Sequence, residues 1–385
     1  MDRILTTHTG SLPRPAELDQ LLVAQAERRA APGIAEQAKA AVEDAVRRQV
    51  EAGVDLLNDG EQGKTGYATY VRERLSGFDG DVDSYAPRRL ELEDHPDFAE
   101  RWRLRMQGTA LRAPSCTGEI RLRDADAVQR DLATLKAAAH GQGIGDDRLF
   151  MSAASPGVIA HFFVDQHYGS RDAYLAAIAD AMRAEYRAIA EAGVLLQLDC
   201  PDLAMSRHSR FAELTLDEFR REVARNVEAL NHAVQDVPAE RMRMHLCWGN
   251  YEGPHTHDVP LQDIVDLVLE ARPAGISLEA SNPRHGHEWQ VFQAVALPDD
   301  RYLIPGVIDT TTNFVEHPDL VAQRLLRYAE VVGRERVVAG TDCGFGTFAG
   351  MATVVPSIVW AKLAAQAEGA RRASAQLWPA ATAGH

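Results

Sequence analysis

The chain has 385 residues, 45% of them hydrophobic, and 56 acidic against 41 basic residues give it a formal net charge of −15 at pH 7. This negative balance disfavours a nucleic-acid or anionic-membrane surface. Four cysteines are too few for a disulfide framework, and no apolar run approaches the ~18 residues needed to span a bilayer. We therefore expect a cytoplasmic protein with reduced cysteines and with neither nucleic acid nor membrane as a partner.

Short apolar segments alternate with long amphipathic helices, which is the pattern of parallel βα units. We predict strands at 3–10, 54–58, 149–154, 194–199, 242–248, 274–280, 303–308 and 336–340. We predict helices at 15–52 with a break near 32–33, then at 126–140, 170–192, from 215 onwards, 261–271, 318–332 and 355–377. Eight units predict a single domain, residues 1–385, folded as a (β/α)8 TIM barrel. An open doubly wound sheet is the alternative, but no Gly-X-Gly-X-X-Gly turn follows the first strand.

The stretch from 67 to 143 departs from this rhythm. It contains a charged segment at 88–105 and a Ser-Cys-Thr-Gly run that begins at Ser115, before the helix predicted at 126–140. We interpret residues 67–143 as an insertion, or an extended connection, after the second strand.

The stretch Arg243–Asn250 places His245 and Cys247 two residues apart at the end of the fifth predicted strand. Side chains at positions i and i+2 of a strand point to the same face, so the imidazole and the thiol can converge. Nitrogen and sulfur are ligands that Zn²⁺ favours. Taken alone, the pair is more typical of a buried histidine beside a buried thiol. A metal site needs further ligands from elsewhere in the chain.

Polar residues follow most of the predicted strands, where parallel barrels place their active sites. They are costly to bury without partners, so we expect them to form one site. These residues are Gly10, Ser11, Glu61, Asp199, His245, Cys247, Glu279, Asp309, Asp342 and Cys343. Four of them offer Zn²⁺ two thiolates, one imidazole and one carboxylate: His245, Cys247, Glu279 and Cys343. The mixed set favours a catalytic zinc, because structural sites are mostly closed by four cysteines or by two cysteines and two histidines.

Several motifs, in order, resemble those of the cobalamin-independent methionine synthase family. Its zinc motifs are matched by His245-Leu-Cys247, Leu278-Glu-Ala-Ser281 and Asp342-Cys-Gly344. Thr9-Gly-Ser-Leu-Pro13 resembles its homocysteine-contacting turn, and Gln197-Leu-Asp-Cys-Pro201 is similar to its Val-Asp-Glu-Pro motif. The resemblance runs from residue 3 to about residue 350 and covers the catalytic barrel only. It includes the shorter stand-alone relatives, such as epoxyalkane:coenzyme M transferase.

The resemblance implies roles for two sets of residues. Those implied to bind zinc are His245, Cys247, Glu279 and Cys343. Those implied to hold the polar groups of a thiol substrate are Gly10, Ser11, Glu61 and Asp199. In the family, acidic residues at the last two positions bind an amino group, which implies an amino-acid thiol. The alternative is that Glu61 and Asp199 are paired with a nearby arginine and are structural.

The positions that contact folate in the family carry different residues here. Ser115-Cys116 replaces an Arg-Cys pair, and Ser155-Pro156 lies where a tryptophan is expected. Met205 replaces an acidic residue, and Thr311 replaces the histidine proposed as proton donor. The metal half of the family pattern is therefore retained, whereas the methyl-folate half is largely missing.

Four further polar residues lie on loops that follow the predicted strands. Opening an epoxide would produce an alkoxide that needs a proton donor. We predict this donor among His285, His287 and Asp309, and we predict that Arg284 pairs with an anionic substrate group. As loop residues, they are also compatible with simple exposure to solvent.

Together these features predict a zinc-dependent alkyltransferase. In this enzyme a zinc-activated substrate thiolate would attack a carbon electrophile, either a methyl donor or an epoxide. A small-molecule thiol and an alkyl donor are the expected partners, and a homo-oligomer is compatible with the sequence. The alternatives are a true 5-methyltetrahydropteroyltriglutamate–homocysteine S-methyltransferase that makes methionine, a non-catalytic zinc- or thiol-binding barrel, and a metal-free decarboxylase-like relative.

Overall fold

The computed structural model describes residues 2–82, 90–106 and 113–379. Its helices are α1 Ala16–Ala26, α2 Ile34–Ala52, α3 Val71–Arg74, α4 Leu90–Asp94, α5 Pro96–Met106, α6 Ala127–His140, α7 Pro156–Phe162, α8 Arg171–Glu191, α9 Leu216–Ala233, α10 Val265–Leu269, α11 Val291–Ala294, α12 Pro318–Val332 and α13 Pro356–Leu377. Its strands are β1 Gly80–Val82, β2 Ala113–Cys116, β3 Phe150–Ala154, β4 Val164–Asp165, β5 Leu195–Asp199, β6 Met242–Leu246, β7 Gly275–Leu278 and β8 Tyr302–Pro305.

Five of these strands form one parallel sheet in the order β3-β5-β6-β7-β8. Residues along β3, β6 and β7 are buried without alternation, as expected for a parallel sheet that is covered on both faces. The carboxyl ends of these strands therefore meet at one edge. The predicted α/β fold with parallel strands is confirmed.

Three of the predicted strands, at 3–10, 54–58 and 336–340, are not regular strands in the structure. Each is joined to its neighbours through isolated parallel bridges, such as Thr6 with Ala339, Leu57 with Leu149 and Leu303 with Val337. The carbonyl of Thr6 accepts from the backbone N–H groups of both Asp55 and Leu56, at 3.1 and 3.0 Å. This doubled acceptor interrupts the regular ladder, so the strand prediction was too long at these places.

The predicted insertion contributes two strands to a second, small sheet. Strands β1 and β2 pair antiparallel, and β2 pairs parallel with β4, which lies beyond the insertion in sequence. Helix α6 agrees with the helix predicted at 126–140. Residues 83–89 and 107–112 of the predicted insertion lie outside the described residues. The insertion at 67–143 and the single domain over 1–385 stay predictions.

Local signals at the helix ends behave as the sequence predicts. Ser170 caps α8, Gly193 follows it with φ 81°, and Thr215 with Glu218 forms a complete capping box at α9. The prediction of one continuous helix at 261–271 was wrong. A 3-10 turn at Leu261–Asp263 precedes α10, because Ile264 has φ −132° and ψ −9° and breaks the α-helical path.

A buried arginine links the amino-terminal segment to the sheet. Arg243 on β6 is 1% exposed, and its guanidinium donates to Gln197 Oε1, Thr7 Oγ1 and the His8 carbonyl at 2.8–2.9 Å. It also lies 3.7 Å above the Phe150 ring. Burial lowers the pKa of Arg243 to about 10, which still leaves it charged at neutral pH. The sheet interior therefore holds a fixed positive charge two residues before His245.

Across the described parts of the chain, no helix is long and apolar enough to cross a membrane.

Candidate metal centre and thiol pocket

Three predicted metal ligands converge at the carboxyl end of β6. His245 lies on that strand, Cys247 follows it, and Cys343 lies in the loop after residue 340. One ligand atom from each residue lies within 4.8 Å of the other two, and the two Sγ atoms are 3.8 Å apart. All three side chains are buried. The structure therefore brings together a nitrogen and two sulfurs, a donor set that suits Zn²⁺.

His245 has one ring nitrogen that is free to bind a metal ion. Its Nδ1 lies 3.2 Å from Ser277 Oγ, whereas its Nε2 is buried and has no hydrogen-bond partner among the residues described. Burial, together with the positive charge of Arg243, lowers the pKa of His245 to about 3. The ring is therefore neutral, which is the form that binds a metal. A buried nitrogen without a partner is costly, and a cation between it and the thiols would satisfy it.

Burial and its neighbours hold the Cys247 thiol protonated when no cation is present. The hydrogen bond with Cys343, followed by burial and the charge of Glu279, raises the pKa of Cys247 well above its ordinary value. The backbone N–H of Gly249 donates to Cys247 Sγ at 3.3 Å and offsets only part of this effect. Two thiolates in this place need a positive charge between them. The residues present fit a divalent metal ion.

Glu279, the fourth predicted ligand, lies beside the cluster and is not part of the group of three. Its Oε1 accepts from the backbone N–H of Trp248, and its Oε2 accepts from Asn282 Nδ2, both at 2.7 Å. Burial raises the pKa of Glu279. Since Trp248 directly follows Cys247, the carboxylate is adjacent to the cluster. Its role as a ligand stays a prediction.

Asp342 holds the turn that carries Glu279. Its carboxylate accepts three backbone N–H groups, from Ala280, Ser281 and Asn282, each at 2.8 Å. Burial and the nearby charge of Glu279 raise its pKa well above the ordinary value. Sequence reasoning placed Asp342 at a strand end but gave it no role. Its position just before Cys343 was the available signal, and the structure shows that it joins two parts of the centre.

The four predicted thiol-pocket residues lie beside this centre. A Cβ atom built at Gly344 would lie 2.0 Å from Ser11 Oγ, and the backbone N–H of Gly346 donates to the same oxygen at 3.3 Å. Ser152 Oγ donates to Glu61 Oε1 at 2.6 Å. Gln197 Nε2 donates to Asp199 Oδ1 at 2.9 Å and also to the Thr9 carbonyl. Ser11, Glu61 and Asp199 are thus each held by neighbouring strand ends.

Glu61 and Asp199 are buried carboxyl groups with cationic side chains nearby. Glu61 Oε2 has no hydrogen-bond partner among the described residues, and the Arg14 guanidinium donates to the Glu61 backbone carbonyl at 3.1 Å. Lys64 Nζ donates to Ser152 Oγ at 3.2 Å, and the charges of Lys64 and Arg243 act to lower the pKa of Asp199. Burial and the charge of Glu61 raise the pKa of Asp199 to about 8. No ion pair with an arginine joins either carboxyl group among the described residues, but Arg243 and Arg14 act on them through their charges, so both the binding role and the structural alternative stay predictions.

Gly10 is required by its contact with Glu61. It has φ +146°, and a Cβ atom at this position would lie 2.6 Å from Glu61 Oε1. We expect Gly10→Ala to lower the free energy of unfolding by about 1–3 kcal/mol more than Gly33→Ala, measured by urea denaturation. Gly33 is the matched control because it has φ +78° and nothing within 4 Å of the added atom. An equal decrease in the free energy of unfolding in the two variants would show that Gly10 has no steric role.

The predicted acid and anion contacts differ in their surroundings. Asp309 Oδ1 accepts from the backbone N–H and the hydroxyl of Thr311. Asp309 Oδ2 accepts from the same two groups of Thr312. Arg284 is exposed, and its guanidinium donates to the Thr256 carbonyl at 3.4 Å. His287 is also exposed, whereas His285 is buried and stacked on Trp248 with centroids 4.2 Å apart. Their roles stay predictions.

The residues at the folate positions have structural contacts of their own. Ser155 caps α7 and donates to Asp202 at 2.7 Å. Thr311 donates its backbone N–H and its hydroxyl to Asp309 Oδ1, and Met205 is buried. Whether the chain binds a pterin stays a prediction.

A cluster around Asp258 was missed by sequence reasoning. Asp258 Oδ1 lies 2.8 Å from His208 Nδ1, and its Oδ2 lies 2.8 Å from both His255 Nδ1 and His285 Nε2. Despite burial, hydrogen bonds to Asp258 and Glu288 raise the pKa of His285 to about 10. We call Asp258, His208, His255 and His285 the Asp258 cluster. It joins the loops that follow β5, β6 and β7, directly behind Trp248.

We predict that the Asp258 cluster stabilises the folded protein. Asp258→Asn should lower the free energy of unfolding by about 3–5 kcal/mol, because it leaves buried imidazoles without their charged acceptor. The measurement is urea denaturation in the presence of EDTA. Asp94→Asn is the control, since Asp94 contacts His257 at 2.5 Å but its side chain is 54% exposed; its loss should stay below about 1 kcal/mol. A similar small loss for Asp258→Asn would contradict a stabilising role.

The parallel sheet and the polar cluster at its carboxyl ends define an α/β protein of enzyme type with a candidate metal centre. The chain belongs to the family described as cobalamin-independent synthase, catalytic domain, which it matches over residues 4–91 and 126–366. This confirms the resemblance found in the sequence. The unmatched residues 92–125 fall within the predicted insertion.

Relatives and solved structures agree with this assignment. A methionine synthase of Saccharolobus solfataricus is 25% identical over 371 residues, which cover 95% of this chain and 93% of the relative. A 2-hydroxypropyl-CoM lyase of Xanthobacter autotrophicus is 26% identical over 336 residues, with 79% of each chain covered. A B12-independent methionine synthase from Shewanella, in complex with selenomethionine, has the same fold, with a TM-score of 0.74, 19% identity, and coverage of 97% of this chain and 99% of that one. Family membership and these relatives support a methyl- or alkyltransferase.

Proposed function

We propose that the protein is a zinc-dependent alkyltransferase that joins the sulfur of an amino-acid thiol to a carbon electrophile. The observation that carries the proposal is the convergence of a His245 ring nitrogen with the thiols of Cys247 and Cys343, on the side of the sheet where Glu61 and Asp199 are also buried. Zn²⁺ bound here would lower the pKa of a thiol ligand, so that a thiolate is present at neutral pH. The zinc set includes Glu279, whose contacts with Trp248 and Asn282 hold it next to Cys247.

The residues of the thiol pocket would bind and orient the acceptor. Glu61 and Asp199 would take its ammonium group, and Ser11 would contact a polar group of the same molecule. A sulfonate thiol such as coenzyme M fits poorly, because its sulfonate is an anion that acidic side chains repel, and it has no ammonium group for them to bind. This charge pattern favours homocysteine-like acceptors over the thiol used by epoxyalkane:coenzyme M transferases.

The alkyl step needs one bond to form and one to break. The carbon–sulfur bond forms as the bond from carbon to the leaving group breaks, and the leaving group takes the electron pair. If the leaving group is basic, it needs a proton, for which His285, His287 and Asp309 are the candidates. The positions of Ser155, Met205 and Thr311 favour a donor other than the family's folate, since none offers the contacts expected for a pterin.

The proposal includes the form of the fold. Parallel bridges and hydrogen bonds join 3–10 to 54–58, 54–58 to β3, β8 to 336–340, and 336–340 back to 3–10. With the five-stranded sheet, these contacts support a closed (β/α)8 barrel that forms one domain. The metal centre and the thiol pocket would then lie at its carboxyl-terminal mouth.

Zinc-edge absorption spectroscopy tests the reaction class. At the Cys247–Cys343 centre, about one zinc ion per chain should be bound by sulfur and nitrogen. Homocysteine should add one sulfur to the first shell, whereas coenzyme M should not. A metal content far below one per chain at Cys247 and Cys343 would remove the proposal.

The pocket also makes a pH prediction. Asp199 has a pKa raised to about 8, so it gains its charge as the pH rises from 6 to 8. The affinity for methionine, which has an ammonium group but no thiol, should therefore increase by at least about tenfold over this range. Calorimetric titration measures it, and Asp199→Asn should flatten the profile. An unchanged profile in that variant would assign the pH dependence to another group.

A further inference from the structure

Two histidines of the Asp258 cluster share a single carboxylate oxygen. Asp258 Oδ2 lies 2.8 Å from His255 Nδ1 and 2.8 Å from His285 Nε2. The ligand atoms of Asp258, His255 and His285 all lie within 4.8 Å of one another. The three side chains are buried, and they come from the loops after β6 and β7. This group has no atom in common with the His245–Cys247–Cys343 centre.

The outer nitrogen of each ring faces a group that can only accept. His255 Nε2 lies 3.1 Å from the Tyr251 carbonyl, and His285 Nδ1 lies 2.9 Å from Glu288 Oε2. Both outer nitrogens therefore carry protons. Metal-binding histidines are oriented in this way, with the distant N–H donated to a carbonyl or carboxylate. The inner nitrogens, which face Asp258 Oδ2, then have two possible states. Either each of them also carries a proton, so that both rings are imidazolium ions, or a single divalent cation lies between them and the carboxylate.

Further donor atoms next to Asp258 favour the cation. Glu91 and His208 are each 0% exposed, and their ligand atoms lie within 4.8 Å of that of Asp258. Glu91 Oε2 and His208 Nε2 have no hydrogen-bond partner in the part of the chain that is described. Protonation of both rings would add two positive charges but would give Glu91 Oε2 no partner. One divalent ion adds the same two charges, and it can also bind additional oxygen or nitrogen ligands.

We propose that Asp258, His255 and His285 form a second binding site for a divalent transition-metal ion, next to the unpartnered Glu91 Oε2. Two imidazoles and a carboxylate oxygen suit Zn²⁺ and its neighbours in the first transition series. The ion would tie together the loops after β6 and β7 beside the Trp248 ring. The site is structural in this proposal, which leaves His287 and Asp309 as the candidate proton donors, and it does not depend on the reaction at Cys247 and Cys343.

Metal counting separates the two sites. Protein equilibrated with ZnCl2 and passed through a desalting column should hold two zinc ions per wild-type chain and one per His285→Gln chain, measured by plasma mass spectrometry. His287→Gln is the matched control, because His287 lies two residues away but is exposed, and it should keep two. The Cys247→Ser/Cys343→Ser double variant should keep one zinc with only nitrogen and oxygen in its first shell.

Nitrogen-15 spectra of the imidazoles test the same site without any substitution. On addition of Zn²⁺ to metal-free protein, His255 Nδ1 and His285 Nε2 should lose their protons, while His255 Nε2 and His285 Nδ1 keep theirs. Both nitrogens of both rings protonated in excess zinc would overturn the proposal in favour of two imidazolium ions, as would one zinc in both wild type and His285→Gln. Loss of the sulfur-bound zinc alone would overturn only the proposed alkyltransferase.

Discussion

Cys343→Ser is expected to lose the zinc bound beside Cys247 and to lower thiol alkylation by at least about 100-fold, because the metal contributes several kcal/mol to the reaction. Cys343 is one of three donors whose ligand atoms lie within 4.8 Å of one another. A serine hydroxyl does not replace a thiolate, and His245 with Cys247 leaves too few strong ligands. Zinc per chain and the initial rate of thioether formation from homocysteine measure the two effects.

Cys116→Ala is the control for this experiment. Cys116 is also buried, but it lies on β2 and its thiol donates to the Gly118 carbonyl at 3.4 Å, away from the cluster. This variant should keep its zinc and its rate. Circular dichroism should show the same fold in both proteins. Full activity in Cys343→Ser would take this residue out of the metal sphere.

Glu61→Gln and Asp199→Asn should each weaken the use of an amino-acid thiol by about 100-fold, which corresponds to about 3 kcal/mol for losing one partner of a buried charged hydrogen bond. Either change removes one of the two carboxylates available to an ammonium group. The effect should fall on kcat/KM for homocysteine. The amide variants are nearly isosteric, so the pocket keeps its shape.

The substrate itself supplies the control here. 4-Mercaptobutanoate is homocysteine without its amino group, so its kcat/KM should change by less than about threefold in Glu61→Gln. A parallel loss with both thiols would mean that Glu61 positions Ser152 or Gly10 and does not bind the amine. A selective loss with homocysteine would identify the acceptor class.

Much of the fold was accessible because its signals are local. Helix starts at Ser170 and Thr215 depend on residues within three positions, and both were predicted correctly. The segments around Thr6 and Val337 were predicted as full strands, but only single bridges formed. Their pairing depends on how segments more than 300 residues apart align, and this alignment leaves no local pattern.

The residues of the site also differ in how far local sequence signals predict them. His245 and Cys247 share a strand face, so their convergence follows from a two-residue spacing. Glu279 was grouped with them by its place at a strand end, yet its contacts with Trp248 and Asn282 depend on the turn held by Asp342. The Asp258 cluster was not predicted because it draws on three loops, and the paths of loops depend on their packing.

The short segment from Thr341 to Gly346 has a consequence for protein engineering. Asp342 holds the turn of Glu279, Cys343 faces Cys247, and Gly344 and Gly346 lie against Ser11. This six-residue segment therefore contacts both the metal centre and the thiol pocket. Random mutagenesis of the segment would disturb both sites at once. Diversity aimed at a new electrophile belongs at exposed positions of the loop after β7, such as His287 and Arg284.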